Sequence, residues 1–262
     1  FWQHLIDHDV EPSEISADDM RLHMIALSQR GLALSSIVRH FASTKMFLRF
    51  LYSEGILKRD VSTLLESPKR WRTIPNTVRY TQVKALLNAP EITDEYYLRD
   101  RALLELLYAT GMRVSELVNL PIDQINLSLG YVRCIGKGQK ERIVPVGRYA
   151  IDALEAYLEH LRPKLLGERH TDAVFLSRTG RPLDRSNIWR IVRKYARLAG
   201  IEEPLSPHTL RHCFATHLLA GGADLRIVQE LLGHADVTTT QVYTHVDEAQ
   251  LKHVHSKYHP RL

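Results

Sequence analysis

The chain has 262 residues, 44% of them hydrophobic, which suffices for one large domain or two ordinary ones with apolar cores. Lysine and arginine number 35 against 30 for aspartate and glutamate, and the net charge of +5 favours an anionic partner. The two cysteines, Cys134 and Cys213, lie far apart and outside any C-x-x-C motif, which argues against a disulfide framework and a cysteine metal site. Because no signal peptide and no apolar run near the roughly 20 residues of a membrane span are found, we expect a reduced, cytoplasmic protein with no membrane contact.

Residues 1–66 are predicted to form a small helical domain. Residues 1–7 have the pattern of a helix end with no Met before them, so we expect a truncated N-terminus. Further helices are predicted to begin at residues 16–19 and at residues 35–36. The last of these carries an apolar stripe that is expected to face the core: Ile37, Phe41, Met46, Phe47, Phe50 and Leu51. Arg39 and Lys45 lie off this stripe, and the sequence is equally compatible with solvated side chains and with contacts to a DNA backbone.

Residues 67–79 are predicted to be a linker between this domain and a second domain, residues 80–262. Pro68 and Pro75 make a continuous helix unfavourable, and three basic residues lie between them: Lys69, Arg70 and Arg72. A basic tether suits two domains that grip the same polyanion, although an ordinary solvated linker fits the composition equally well.

A buried helix is predicted over residues 97–109, because nearly all of its faces are apolar. Gly111 would end it, and Arg113 follows at a position that is expected to turn its guanidinium inward rather than to water. A buried arginine needs an anion, which can be a structural carboxylate or the phosphate of a ligand. Glu116, three residues later, could be that carboxylate.

A β-hairpin is predicted from residues 131–135 and 142–146, which alternate and are rich in strand formers. Its turn, GKGQK, contains Lys137 but lacks the pattern of a Walker A phosphate loop. A lysine in such a turn usually serves solubility; a functional one could swing onto a leaving group. Helices predicted at about residues 148–161 and 185–198 flank a short apolar segment, so the fold class is mainly α with a small β-hairpin or sheet.

The stretch from residue 206 to residue 243 concentrates residues with chemical potential. Ser206 and Pro207 begin a predicted helix, so His208 and Arg211 share a face near its first turn, where free N–H groups favour a phosphate. Taken alone, this pair is more typical of an ordinary capped surface helix.

A second short helix is predicted over residues 224–232, with Gly233 at its end and His234 just beyond. Another helix is predicted to begin near residue 237, with Tyr243 one turn in. A lone histidine there is typical of a C-terminal cap, and a lone tyrosine of a half-buried core residue. The order and spacing of these residues together indicate a site.

Four motifs in order resemble those of the tyrosine recombinases, with the closest likeness to the bacterial Xer subgroup: TGMRVSEL, GKGQKERIVPV, SPHTLRHCFATHLL and LLGHADVTTTQVYTHV. Residues 243–260 are also similar to the Xer tail. The resemblance covers the whole chain, and it implies a helical core-binding domain that clamps DNA followed by a mixed α/β catalytic domain.

The resemblance also implies a set of catalytic side chains. Tyr243 matches the nucleophile that forms a 3′-phosphotyrosyl bond, and Lys137 matches the lysine that protonates the departing 5′ oxygen. The remaining matches hold the scissile phosphate, assist proton transfer or support these groups: Arg113, Arg211, His208, His234 and Glu116.

The physical chemistry of these residues agrees with those roles. A free tyrosine has a pKa of about 10, so forming its phenolate at neutral pH costs about 4 kcal/mol, and nearby cations lower that cost. Two arginines and two imidazoles can neutralise the transition state without a metal, and a covalent phosphotyrosine conserves the bond energy without ATP. We therefore expect no cofactor. A zinc site of His208, His212 and His217 is disfavoured, because their spacing is not H-E-x-x-H.

The resemblance implies double-stranded DNA at a specific site as the partner, and four protomers, identical or of two kinds, acting through a Holliday junction. A helix at about residues 248–257 would dock on a neighbouring protomer or pack on its own domain. The Xer likeness implies chromosome dimer resolution with a cell-division DNA translocase as activator, and integration of a mobile element remains an alternative. Two rival functions are a type IB topoisomerase and a non-catalytic regulator with a helix-turn-helix at residues 225–242.

Overall fold

The computed structural model describes the following residues of the chain: 1–65, 78–136, 141–203, 205–233, 254 and 256–261. The chain divides into two compact units, Phe1–Ile74 and Pro75–Leu262. Within the described residues helices predominate, and the strands belong to one small antiparallel sheet, so the predicted fold class is confirmed. None of the helices seen in these residues has both the length and the apolar character needed to cross a lipid bilayer. The predicted linker lies outside the described residues as far as residue 77.

Among its described residues the first unit contains three α-helices: α1 (Trp2–Asp7), α2 (Ala17–Gln29) and α3 (Leu34–Ser53). α2 begins where predicted, because Ser16 and Asp19 form a capping box in which each side chain satisfies the backbone N–H of the other. The apolar core of the unit includes Met20 of α2 and Leu48 of α3, both fully buried.

The predicted core stripe of α3 is only partly right. Its buried residues are spaced by four and three in turn, which keeps them on one face of the helix: Ile37, Phe41, Thr44, Leu48 and Leu51. Met46 and Phe50 point away from that face and are 75% and 55% exposed, so their assignment to the core is wrong. Hydrophobic character alone was misleading here, because the helical period places Thr44 inside and Met46 outside.

The second unit is built around a buried central helix. α4 (Tyr80–Asn88) is followed by α5 (Tyr97–Thr110), in which eleven of fourteen residues are buried, as predicted. α5 packs against α4 and against two later helices, Arg148–His160 and Pro207–Gly221. Gly111 ends α5 with a left-handed φ of +56°, and an added Cβ would lie 2.5 Å from the ring of Phe214. Only glycine therefore fits this turn, which leads directly to α6 (Val114–Val118).

The sheet follows α6 and contains three antiparallel strands in the order β1 (Ile125–Asn126), β2 (Tyr131–Ile135) and β3 (Glu141–Pro145). The predicted hairpin of β2 and β3 is confirmed, with Cys134 opposite Arg142 in the register. Its turn, including Lys137, lies outside the described residues.

Helices α7 (Arg148–His160) and α9 (Arg185–Leu198) occur where predicted, whereas the short α8 (Arg162–Leu166) was not anticipated. Arg162 is buried and donates to three carbonyls of the segment between α8 and α9, those of Thr171, Ala173 and Val174. This arginine therefore holds the connecting segment against the end of α7.

α10 (Pro207–Gly221) and α11 (Leu225–Leu232) follow α9 in the second unit. α10 begins as predicted, with Ser206 accepting from the N–H of Thr209 at 3.1 Å. α11 packs against α10 and β3, and it ends at Gly233, which has a left-handed φ of +66°. The helix predicted to begin near residue 237 lies outside the described residues.

Candidate active site

Arg113 lies where the central helix α5 gives way to α6. It is the N-cap residue of α6, and its backbone N–H donates to Glu116 Oε2 at 2.8 Å while its Nη1 donates to Glu116 Oε1 at 3.0 Å. The prediction that Glu116 is its carboxylate is confirmed. The prediction that the guanidinium is turned away from water is wrong, since the side chain is 38% exposed. The reason is that another arginine occupies the buried side of Glu116.

That arginine is Arg142 of β3. Its Nη1 and Nη2 donate to the two carboxylate oxygens of Glu116 at 2.9 and 2.8 Å, a bidentate pair whose side chains are only 7% and 5% exposed. Burial alone would raise the pKa of Glu116, but the hydrogen bonds and charge of Arg142, and then those of Arg113, hold this pKa below its ordinary value of 4.5. Glu116 is therefore an ionised carboxylate shared by two guanidinium groups.

Arg211 of α10 is buried close to these groups and is held by backbone carbonyls. Its Nη1 donates to Gly111 O at 2.6 Å, and its Nη2 donates to Leu232 O at 2.5 Å. Burial, with the added charges of Arg113 and Arg142, lowers the pKa of Arg211 to about 10, so it stays protonated at neutral pH. In the described part of the chain no carboxylate forms an ion pair with Arg211.

The end of α11 joins the three arginines. The last carbonyls of a helix have no partner within it and carry partial negative charge, which favours cations. Here three successive carbonyls each accept from a different guanidinium. Leu231 O accepts from Arg142 Nε at 2.8 Å, Leu232 O from Arg211, and Gly233 O from Arg113 Nη2 at 3.3 Å. The residue that follows this anchored helix end is His234.

The charges of this cluster do not cancel. Three guanidinium groups face one carboxylate, and three positive charges less one negative charge leave two positive charges among the described residues. Arg113 is the partly exposed member, and its charge acts on the buried Arg211. Such a cluster can bind a phosphodiester and neutralise the charge that develops on it in a phosphoryl transfer.

Half of the predicted catalytic set is described. Arg113 and Arg211 are brought together with Glu116, whereas Lys137, His234 and Tyr243 lie outside the described residues. The remaining member, His208, is exposed in the first turn of α10, with the ring of Trp189 at 6.5 Å and edge-on to it. Its exposure leaves it accessible to a ligand.

The other predicted residues are spread over the two units. In the first unit Arg39 is exposed, and the ammonium group of Lys45 donates to Leu65 O at 2.7 Å. Their assignment as DNA contacts stays a prediction. In the second unit His217 bonds through Nδ1 to the hydroxyl of Tyr108 at 2.9 Å, and no cluster of three metal-binding side chains is found among the described residues.

The sequence interpretation missed Arg142. A signal was present, because side chains alternate along a strand and Arg142 shares a face of β3 with the fully buried Val144. A charged residue on the inner face of a strand requires a buried partner of opposite charge. That requirement identifies Arg142 as a member of a buried network, but only the structure shows that the partner is Glu116.

Comparisons with known proteins identify the family and the fold. The family model described as Phage integrase family matches residues 76–250. The tyrosine recombinase XerD of Halalkalibacterium halodurans is 47% identical over 247 residues, which are 94% of this chain and 83% of that protein. The crystal structure of XerA recombinase is similar with a TM-score of 0.57 and 30% identity, over 99% of this chain and 89% of that one. A lambda integrase tetramer bound to a Holliday junction has a TM-score of 0.67 at 17% identity, over 88% of this chain and 68% of that one, which is a likeness of fold.

Proposed function

Because the chain belongs to the phage integrase family of tyrosine recombinases, enzymes that break and rejoin DNA, we propose that it recombines DNA at a specific site through a 3′-phosphotyrosyl intermediate on Tyr243. The observation that carries this proposal is the cluster of Arg113 and Arg211 at the end of α11. Together with Arg142 and Glu116 it has an excess of two positive charges among the described residues, and His234 follows this helix end in the sequence.

The two arginines would bind the scissile phosphate. A guanidinium forms two parallel hydrogen bonds to a phosphate, and each of these side chains has N–H groups beyond those it gives to carbonyls and to Glu116. Donors already fixed in place need no reorganisation when charge develops in the transition state. The buried position of Arg211 supports this role, because the network around it keeps the guanidinium in one orientation.

The remaining roles concern proton transfer. Tyr243 would attack the phosphorus and lose its proton, and the departing 5′ oxygen would receive a proton from Lys137 as general acid. His208 and His234 would donate hydrogen bonds to the phosphate and assist these transfers. Each phosphotyrosyl bond is then broken when a free 5′ hydroxyl attacks its phosphorus, which rejoins the strand and releases Tyr243. The exchange of the second pair of strands repeats the same steps.

The partners proposed for this chain are a specific duplex DNA and other recombinase protomers. Its likeness to a XerD recombinase over most of both chains supports resolution of chromosome dimers in the cytoplasm, with a cell-division DNA translocase as activator. The likeness to a lambda integrase tetramer bound to a Holliday junction supports a tetramer that works in two pairs. The first unit would be the core-binding domain, which clamps DNA. Integration of a mobile element is the alternative role for the same chemistry.

Covalent trapping tests the proposal. A pool of nicked duplexes with a randomised core is incubated with the protein, and adducts that survive denaturant are isolated and sequenced. The wild type is expected to form adducts at one preferred sequence, Tyr243→Phe none, and Tyr52→Phe, which alters an exposed tyrosine of α3, as many as the wild type. Adducts with Tyr243→Phe would disprove the assignment of the nucleophile. Tight binding of one duplex by the wild type without any adduct, also after addition of a second recombinase, would indicate a DNA-binding regulator.

A further inference from the structure

Arg142 is the most deeply buried of the three arginines of the site. Its Nη1 and Nη2 grip both oxygens of Glu116 at 2.9 and 2.8 Å, and its Nε donates to Leu231 O at 2.8 Å. The side chain is 7% exposed, against 38% for Arg113. Arg142 therefore uses its Nε and both Nη atoms to hold the carboxylate of Glu116 and the end of α11.

Arg142 and Arg113 divide the carboxylate of Glu116 unequally. Arg142 takes both oxygens in a bidentate pair, whereas the guanidinium of Arg113 reaches only Oε1, at 3.0 Å. The charge of Glu116 is thus balanced mainly by Arg142 on the buried side, and the guanidinium of Arg113 stays partly exposed. Without Arg142, Glu116 could take Arg113 as its bidentate partner and draw it inward, away from a bound phosphate.

Arg142 also fixes the end of α11. The backbone at Gly233 approaches it so closely that an added Cβ would lie 3.1 Å from Arg142 Cδ and 3.3 Å from its Nη1. Together with the bond to Leu231 O, this contact holds the turn whose carbonyls also accept from Arg113 and Arg211. Arg142 therefore lies where the strand, α6 and the end of α11 converge.

We propose that Arg142 is a positioning residue for DNA cleavage: by pairing with Glu116 and anchoring the end of α11, it keeps the guanidinium of Arg113 facing the scissile phosphate. This inference rests on the proposed function. It predicts that Arg142 affects how well the site stabilises the charge of the transition state, and not only how stable the protein is. A displacement of about 1 Å in a group that contacts reacting atoms can cost about 100-fold in rate.

The test compares two nicked substrates of the same sequence, one with the natural scissile phosphate and one with a methylphosphonate, in which a methyl group replaces a nonbridging oxygen. The methylphosphonate develops less negative charge, so it depends less on a correctly placed guanidinium. We expect Arg142→Gln to slow adduct formation on the phosphate by roughly 10- to 100-fold, and on the methylphosphonate by a clearly smaller factor. Arg142→Lys keeps the charge but loses the planar guanidinium that binds both oxygens of Glu116. Its rate of adduct formation should therefore fall by an intermediate factor, with the same dependence on substrate.

Arg162→Gln is the matched control. Arg162 is equally buried in the same unit and bonds to backbone carbonyls, but it has no contact with the site among those described. Rates are taken per folded molecule, with the folded fraction measured by circular dichroism. Arg162→Gln should leave the ratio of the two substrate rates at the wild-type value. Equal losses on both substrates for Arg142→Gln and Arg142→Lys, or a ratio matching that of Arg162→Gln, would overturn the positioning role. Failure of the wild type to form any adduct would instead overturn the proposed function.

Discussion

At the scale of single residues, the carboxylate of Glu116 pairs with two arginines, so replacing it is expected to lower the stability of the protein. Glu116→Gln removes the carboxylate that pairs with the buried Arg142 among the described residues, and breaking a buried pair in this way costs about 3 kcal/mol or more. We expect urea unfolding at pH 7 to show a loss of that size, with Glu155→Gln, an exposed position on α7, close to the wild type.

The same variant has a defined dependence on pH. The pKa of Glu116 is lowered in the folded protein, so its contribution to stability is present above the ordinary value of 4.5 and is lost as the pH falls below it. The difference between wild type and Glu116→Gln should therefore shrink below pH 4.5 in the same urea measurement. A difference that stays constant at acidic pH would show that the charge of Glu116 does not contribute.

His23 of α2 also makes the fold less stable as the pH falls, but here the folded protein favours the neutral form of the side chain. Burial, reinforced by the charges of His4 and His40, lowers its pKa to about 4, and its Nε2 has no hydrogen-bond partner among the described residues. Protonation thus favours the unfolded chain, so the stability contribution is complete above about pH 6.5 and is lost towards pH 4, by up to about 3 kcal/mol. NMR titration of the histidine rings should place His23 near 4, and His23→Phe should flatten the acid dependence of unfolding where His8→Asn does not. A ring that titrates near 6.5 would contradict this account.

Individual site residues differed in how well the sequence could predict them. The pairing of Arg113 with Glu116 followed from a spacing of three residues at the start of a helix, which is a local relation. The contact of Arg142 with Glu116 joins residues 26 apart, and that of Arg211 with Gly111 joins residues 100 apart. No local pattern encodes such pairs, so which side of Glu116 was buried could not be inferred from the sequence.

At the scale of secondary structure elements, the end of α11 is the feature most open to a test. Gly233→Ala would force a side chain into a left-handed conformation and against Arg142 at 3.1 Å. Gly200→Ala is the matched control, since Gly200 has a similar φ of +69° and nothing within 4 Å of an added Cβ. Both variants should lose about 1 kcal/mol through backbone strain. Only Gly233→Ala should also slow adduct formation, because it displaces the carbonyls that hold the three arginines; equal cleavage by the two variants would contradict this.

Elements with strong local signals were predicted well. The capping residues Ser16 and Ser206 mark the starts of α2 and α10, and the glycines after α5 and α11 mark their ends. The errors arose where tertiary packing chooses among several apolar residues. In α3 it selected Thr44 over Met46, because the helical period decides which side chains face the core of the first unit.

At the scale of the whole molecule, the two units differ in how their cores are closed. The core of the first unit is mainly apolar and includes Met20 of α2 and Leu48 of α3. The second unit is built around α5, and Arg261, one of its last described residues, donates to Glu105 of that helix. The sequence predicted both helical regions, but it left open whether the C-terminal residues pack on their own domain or on a neighbour. In this structure Tyr258 lies against Gly221, and the hydroxyl of Tyr80 donates to Pro260 O at 2.9 Å, so residues 258–261 pack on their own unit.

The anchor of this chain end is an ion pair between residues 156 apart. Arg261 donates through Nε and Nη2 to Glu105 of α5, at distances of 2.5 to 2.9 Å, and its Nη2 also donates to Asn88 Oδ1 at 3.0 Å. The side chains of the pair are only 5% and 1% exposed, so removing one partner leaves a buried charge without compensation. Arg261→Gln should therefore destabilise the second unit by about 3 to 5 kcal/mol in urea unfolding.

Two comparisons decide whether the ion pair itself is responsible. Arg148→Gln removes an exposed arginine that pairs with Asp152 at 3.8 Å, and it should cost less than about 1 kcal/mol. In the double variant Glu105→Gln/Arg261→Gln both charges are gone, so the loss should be smaller than the sum of the two single losses. Additive losses, or an Arg261→Gln protein as stable as Arg148→Gln, would mean that the chain end is held by packing alone. A measured coupling would instead show that a charge in the central helix fixes residues 258–261 on their own unit.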